Sequence, residues 1–272
     1  MNRSILKASH VILHSTSLVP FVLAVLMLFL PFSPAMADRS ASIRILASYY
    51  ETMADKLFQT RELPGNLQLA IGYYQKSLQL DPAHGHAEWK LSRCYWSLAS
   101  KTDDVQQRSL YFGKGIQYGE MAVENNPENS YAHSWLALNT GSRAINQGVV
   151  NTLYNRDIIK KELETAIRLD AENTNAYAGL AAWYFHVPAI LGGDRKTAFE
   201  MIDHAIDLEP DYTAPILLKA EFLMSEQRIE EARQSLQRIL AIEHPAVRGD
   251  GVEDKIKAQR LLQKLTADLT AG

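Results

Sequence analysis

The sequence predicts an all-α solenoid: about five helix hairpins stacked side by side and closed by a C-terminal capping helix. Two observations carry this. First, one spaced pattern occurs five times, ending at junctions Pro82, Pro127, Ala171, Pro210 and His244. Upstream of them stand Ala70/Tyr74/Ser77/Leu78, Gly115/Gly119/Ala122/Val123, Ile159/Leu163/Ala166/Ile167, Ala198/Ile202/Ala205/Ile206 and Ala232/Leu236/Ile239/Leu240. Steps of four, three and one keep each set on one side of a helix, where the small residues admit a neighbouring helix. Second, another periodic face follows the junctions, with Leu91, Leu136 and Leu180, then Tyr95, Thr140, Tyr184 and Leu223. An acid or amide precedes every junction, and proline there ends one helix and lets the next begin.

The elements follow in order. Ile43–Phe58 is the first helix, joined through Glu62–Asn66 to the helix bearing Ala70. The junction intervals are 45, 44, 39 and 34 residues, and the excess is expected in loops between the two helices of a hairpin, where length costs little entropy. Lys101–Arg108, with Asp103 and Asp104, reads as such a solvated loop. Pro188 should end a helix at or before His186, and Asp194 is placed to cap the helix starting near Arg195. Arg248-Gly249-Asp250-Gly251 breaks the pattern, and Val252–Leu269 reads as the closing helix a stack needs.

Residues 1–37 stand apart from this pattern. Arg3 and Lys7 precede an apolar run from Leu18 to Phe32, and Ala35-Met36-Ala37 offers small residues for cleavage. That order reads as a secretory signal peptide, leaving residues 38–272 as one solenoid domain in the periplasm. A retained anchor is the alternative, although the run is shorter than the roughly 20 residues a spanning helix needs. The net charge is −3, and no basic stripe interleaved with aromatics points to nucleic acid. Cys94 is the only cysteine, so no internal disulfide can form, and its neighbours Leu91 and Tyr95 suggest a buried thiol.

These hairpins resemble the tetratricopeptide repeat, a pair of antiparallel helices of about 34 residues. The resemblance runs from about Ser40 to His244 and implies a right-handed superhelix. Within it, Trp183-Tyr184-Phe185, Pro188–Asp194 and Ala198 look like the periplasmic T-component of TRAP-type transporters. That likeness implies a non-catalytic, trimeric protein that works with an extracytoplasmic solute-binding protein and offers a hydrophobic cavity. The chain lacks the cysteine by which members of that group are commonly lipid-anchored.

The first helices of the hairpins should line a concave groove, and unusual residues there are candidate contacts. His86, Trp89, Arg93 and Trp96 fall along one face, with Trp89 and Arg93 placed for a cation–π pair. Such a wall suits an anionic or flat organic ligand. Phe185 and His186 occupy the equivalent face of a later hairpin. The expected function is to hold a protein partner, with or without a small ligand, in this groove. A scaffold of the cell envelope, binding proteins through the convex side or Val187–Leu191, is the competing reading. A metal-dependent hydrolase using His84 and His86 is a remote one, since no further ligands stand at a recognisable spacing. No cofactor is expected, because the chain has no phosphate loop, dinucleotide fingerprint or haem attachment sequence.

Overall fold

A computed structural model of the chain describes residues 34–82 and 86–271. The apolar run Leu18–Phe32 and His84 lie outside the described residues. Residues 1–42 and 43–272 separate as two compact units, and the architecture below is that of the second.

Eleven α-helices and no strands are found among the described residues. They are α1 (Pro34–Gln59), α2 (Asn66–Leu80), α3 (Ala87–Ser100), α4 (Val105–Asn125), α5 (Ser130–Gln147), α6 (Val149–Leu169), α7 (Thr174–His186), α8 (Arg195–Leu208), α9 (Thr213–Ser225), α10 (Ile229–Ala241) and α11 (Arg248–Ala271). Each hairpin pairs an odd-numbered helix with the even-numbered one after it. From α3 onward each odd helix also packs on the next odd helix, through to α9 on α11, whereas among the described residues no comparable packing joins successive even helices. The odd helices therefore form the inner layer of the stack and the even helices the outer one.

The repeated small residues do what their spacing demands. Ala70, Ala166, Ala198 and Ala232 are each 0% exposed, and the larger partners Tyr74, Ile202 and Leu236 are equally enclosed. A Cβ on Gly119 would press on the Leu136 backbone at 3.0 Å, so glycine sets how closely α4 approaches α5. Each fully buried leucine or isoleucine contributes about 1.5–3 kcal/mol. Three apolar clusters result: one over α1–α3, one over α5–α7, and one running from α7 to α11.

Helix starts follow local chemistry. Asn129 and Asn173 accept from the Ala132 and Ala176 amides at 3.2 and 3.1 Å, and Asp194 accepts from the Lys196 amide at 2.9 Å. Each satisfies a donor that the helix itself leaves unpaired. Pro188 ends α7 at His186 as expected, and a 3-10 turn over Ala189–Leu191 follows.

Three expected boundaries move. The long intervals are taken up by longer helices rather than loops: α4 and α6 have 21 residues and α5 has 18, against 13 to 15 in α7–α10 and α2–α3. Asp104 is not loop filler but the cap of α4, accepting from the Gln106 and Gln107 amides, and Gly148 alone (φ 102°) joins α5 to α6. The closing helix begins at Arg248, because Gly249 and Gly251 lie in its first turn against Arg61 and Pro245, where a Cβ would collide. At the other end α1 reaches back to Pro34, so the expected cleavage point lies in its first turn.

Candidate functional site

The inner layer brings the α3 wall together around Arg93. Its guanidinium carbon lies 3.9 Å from the Phe58 ring centre and 5.3 Å from that of Trp89. Trp89 is half-buried and stacks on Tyr131 of α5 at 5.0 Å and 23°. Arg93 makes no hydrogen bond or ion pair with any described residue, and its Nε is enclosed without a partner. Its positive charge reaches Arg61, Tyr74, Cys94, Tyr131 and Tyr212. The end of α1, the middle of α3 and the start of α5 thus converge on one unneutralised cation.

The neighbouring cation is different. Lys90 is held by Glu51 and Asp55 at 2.7 and 2.8 Å, and Asp55 also accepts from the Tyr74 hydroxyl at 2.5 Å. Burial raises the Tyr74 hydroxyl well above its ordinary value. These contacts tie α1 to α2 and α3 and leave Lys90 committed to structure. Cys94 is fully enclosed, and burial pushes its thiol up to about 12, so it is a packing residue and not a nucleophile.

The other expected contact residues divide. His86 is exposed at the start of α3 and makes no capping bond. Trp96 belongs to the α3–α5 interface: its indole donates to Ser142 Oγ at 3.0 Å and meets Trp135 edge-on at 5.9 Å. Phe185, expected on the open face, is 4% exposed and stacks on Phe222 at 4.0 Å and 3°. The next hairpin covers it, so Phe185 is core. His186 stays exposed at the end of α7, and desolvation beside these rings, then the Arg195 charge, hold its imidazole below the ordinary value. Among the described residues no group of three or more His, Cys, Asp or Glu could hold a metal ion, and His84 is not among them.

Three residues of this wall escape a reading from the sequence. Phe58, Arg61 and Tyr131 lie on different helices or connections, and nothing in their local spacing marks them. Depressions of about 380 and 560 Å³ beside α11 are lined by residues 240–267 and include no residue of this wall.

The family model described as Regulator of microtubule dynamics protein 1-3 matches residues 50–202, and a tetratricopeptide repeat model matches residues 189–249. Regulator of microtubule dynamics protein 3 of Bos taurus is 26% identical over 153 residues, which are 55% of this chain and 32% of that protein. Regulator of microtubule dynamics protein 1 of Mus musculus is 25% identical over 152 residues, 54% of this chain and 48% of that protein. The chain therefore spans between a third and a half of the length of these relatives. Among solved structures, a thermophilic TPR protein of Thermus thermophilus aligns with a TM-score of 0.62 and 16% identity, over 80% of this chain and 99% of that one. That likeness confirms the tetratricopeptide fold.

These findings overturn the periplasmic expectation. The relatives are proteins of eukaryotes, whose cells have no periplasm, and they are named for microtubule dynamics. The T-component resemblance, with its solute-binding partner, trimer and small ligand, gains no support from them. Among the described residues no helix is long and apolar enough to cross a membrane.

Proposed function

Since 153 of its 272 residues match the family's model, the chain belongs to the regulator of microtubule dynamics protein 1-3 family, and on that premise we propose that it is a non-catalytic adaptor whose inner helical layer grips an acidic segment of a protein partner. Arg93 is the observation that carries this reading. Phe58 and Trp89 pack against its planar cation, while its in-plane donors find no acceptor in the described chain. A guanidinium held between rings keeps those donors for a carboxylate, and Arg does this better than Lys because its fork is flat and rigid. Trp89, Tyr131 and the exposed His86 would extend the contact along α3 and α5.

The relatives' names make the microtubule the first partner to test. The chain is sedimented with polymerised tubulin, and the parent is expected in the pellet. Arg93→Ala and Trp89→Ala should stay in the supernatant while keeping the parent's circular dichroism. If both variants pellet like the parent, this wall is not the contact.

One observation favours a second surface. Ile190 is 92% exposed at the tip of the 3-10 turn, an apolar side chain with no folding role there. Binding lost in Ile190→Ser but kept in Arg93→Ala would move the contact to that turn. An accessory transport role, implied by the Pro188–Asp194 resemblance, rests on a segment that folding accounts for. Val187 is buried, Gly192 takes φ 98°, and Asp194 caps α8.

A further inference from the structure

The first hairpin and the closing helix touch. Arg61, just after α1, is 1% exposed although it carries a charge. Its guanidinium pairs with Asp250 in the first turn of α11 and lies 3.8 Å from Glu253. Glu253 also holds Lys101 at 2.6 Å, and the Lys101 ammonium donates to the Arg61 carbonyl at 2.8 Å. Beside them Arg248 faces Glu62 at 3.7 Å, and Asp254 accepts from the Thr213 hydroxyl at 2.6 Å. Four segments far apart in the chain, at the ends of α1 and α3 and the starts of α9 and α11, thus meet in one charged cluster.

The composition of this joint is unlike the rest of the stack. The rear of α11 covers the last hairpin with Ala258 and Leu265, as a closing helix should. Its first turn meets the first hairpins through ions and through Gly249, whose missing side chain leaves room for Arg61. The apolar cluster of α1–α3 shares no residue with the cluster that contains α11. A joint of ion pairs without a shared apolar core can separate while both sides stay folded.

The joint also borders the groove. Arg61 and Arg93 pack on the same Phe58 ring, at 4.4 and 3.9 Å, and the Arg93 charge acts on Arg61. One cation is ion-paired with acids of the chain itself and the other is not, although the Nε of neither finds a hydrogen-bond acceptor. We propose that the acidic first two turns of α11 are a self-supplied stand-in for the partner's acid: Asp250 and Glu253 clasp Arg61, shut the solenoid end to end, and must release before Arg61 joins Arg93 in gripping an acidic segment. This inference rests on the groove reading above, and it makes α11 an autoinhibitory element as well as a cap.

The test uses the full chain and needs no partner. Asp250→Asn combined with Glu253→Gln removes the two anions at nearly constant shape. Hydrogen exchange is followed by mass spectrometry over residues 58–66 and 246–256, with tryptophan quenching by iodide as an anionic probe of the wall. The double variant should exchange faster in both segments together while α8–α10 stay protected. Iodide quenching should rise, and the rise should vanish when Trp89→Phe is added. Gly249→Ala, which wedges a methyl against Arg61, should open the same two segments with both acids present. Exchange equal to the parent's in both segments overturns the clasp. Faster exchange with unchanged quenching overturns the gate, since the joint then opens without uncovering the wall. Neither readout depends on tubulin, so a failure of the opened double variant to co-sediment would count against the groove reading alone.

Discussion

Asn139 occupies the space that a side chain on Gly115 would need. Its amide donates to the Ser92 carbonyl at 3.1 Å, the Ser92 hydroxyl at 3.1 Å and the Trp135 carbonyl at 2.9 Å, while Ser92 donates to the Gly115 carbonyl at 2.8 Å. Three helices, α3, α4 and α5, are locked by this buried polar knot, directly behind the Arg93 wall. A Cβ at Gly115 would collide with the Asn139 amide group.

Gly115→Ala should therefore destabilise the protein by about 1–3 kcal/mol, the usual cost of overpacking. Gly72, also inside a helix, has nothing within 4 Å of where its Cβ would stand. Gly72→Ala should raise stability by about 0.4–1 kcal/mol, because alanine loses less backbone freedom on folding. Chemical denaturation of the two variants checks the opposite signs.

A second prediction concerns pH. His133 is 6% exposed, with Nδ1 2.5 Å from Glu162 and Nε2 2.8 Å from the Pro127 carbonyl. A carbonyl can only accept, so Nε2 carries a proton, and the Glu162 carboxylate takes the other. The hydrogen bond to Glu162, more than any other cause, holds the imidazole above its ordinary value. A folded-state value raised in this way adds stability that is complete below the unfolded value near 6.5 and is lost as pH rises through the folded value. His133→Gln should fall furthest behind the parent in mildly acidic solution, and the gap should narrow as pH rises. Melting temperatures across pH 5 to 9 measure it.

Within the α3 wall, the three large side chains should separate by cost. Arg93→Ala forfeits cation–π contacts worth about 0.5–1 kcal/mol. Trp96→Ala removes a hydrogen bond to Ser142 and the edge contact with Trp135, and should cost about 3 kcal/mol. Scanning calorimetry should rank Trp96→Ala far below Arg93→Ala. The reverse order would mean that Arg93 is a packing residue and not a contact.

At the α7 end, Phe185→Ala should cost about 3–5 kcal/mol by emptying the space against Phe222. Its neighbour His186, exposed at the same helix end, should tolerate alanine within about 0.5 kcal/mol. Thermal melts of the pair check this directly.

The α7 pair also shows where reading by spacing stops. Phe185 and His186 fall on one predicted face, but a helical wheel gives direction and not what stands opposite. Phe222, from the next hairpin, decides that one is core and the other is not. Excess length shows the same limit. Intervals above 34 residues announce insertions, yet the choice between loop and longer helix rests on Asp104 capping α4 and Gly148 turning α5 into α6. Trp89 and Arg93 were readable as a pair because they sit one turn apart on α3, whereas Tyr131 and Phe58 reach the same wall from other elements.

The sequence by itself determined the repeated hairpin, its small packing residues, its junctions and the enclosure of Cys94, because each depends on helical periodicity within one or two turns. Only the tertiary structure decided that Arg61 meets Asp250 and that Arg93 is left without an acid. Those facts depend on how far the stack curves before its ends meet. That curvature accumulates from every interhelical contact along the chain, so no local spacing records it.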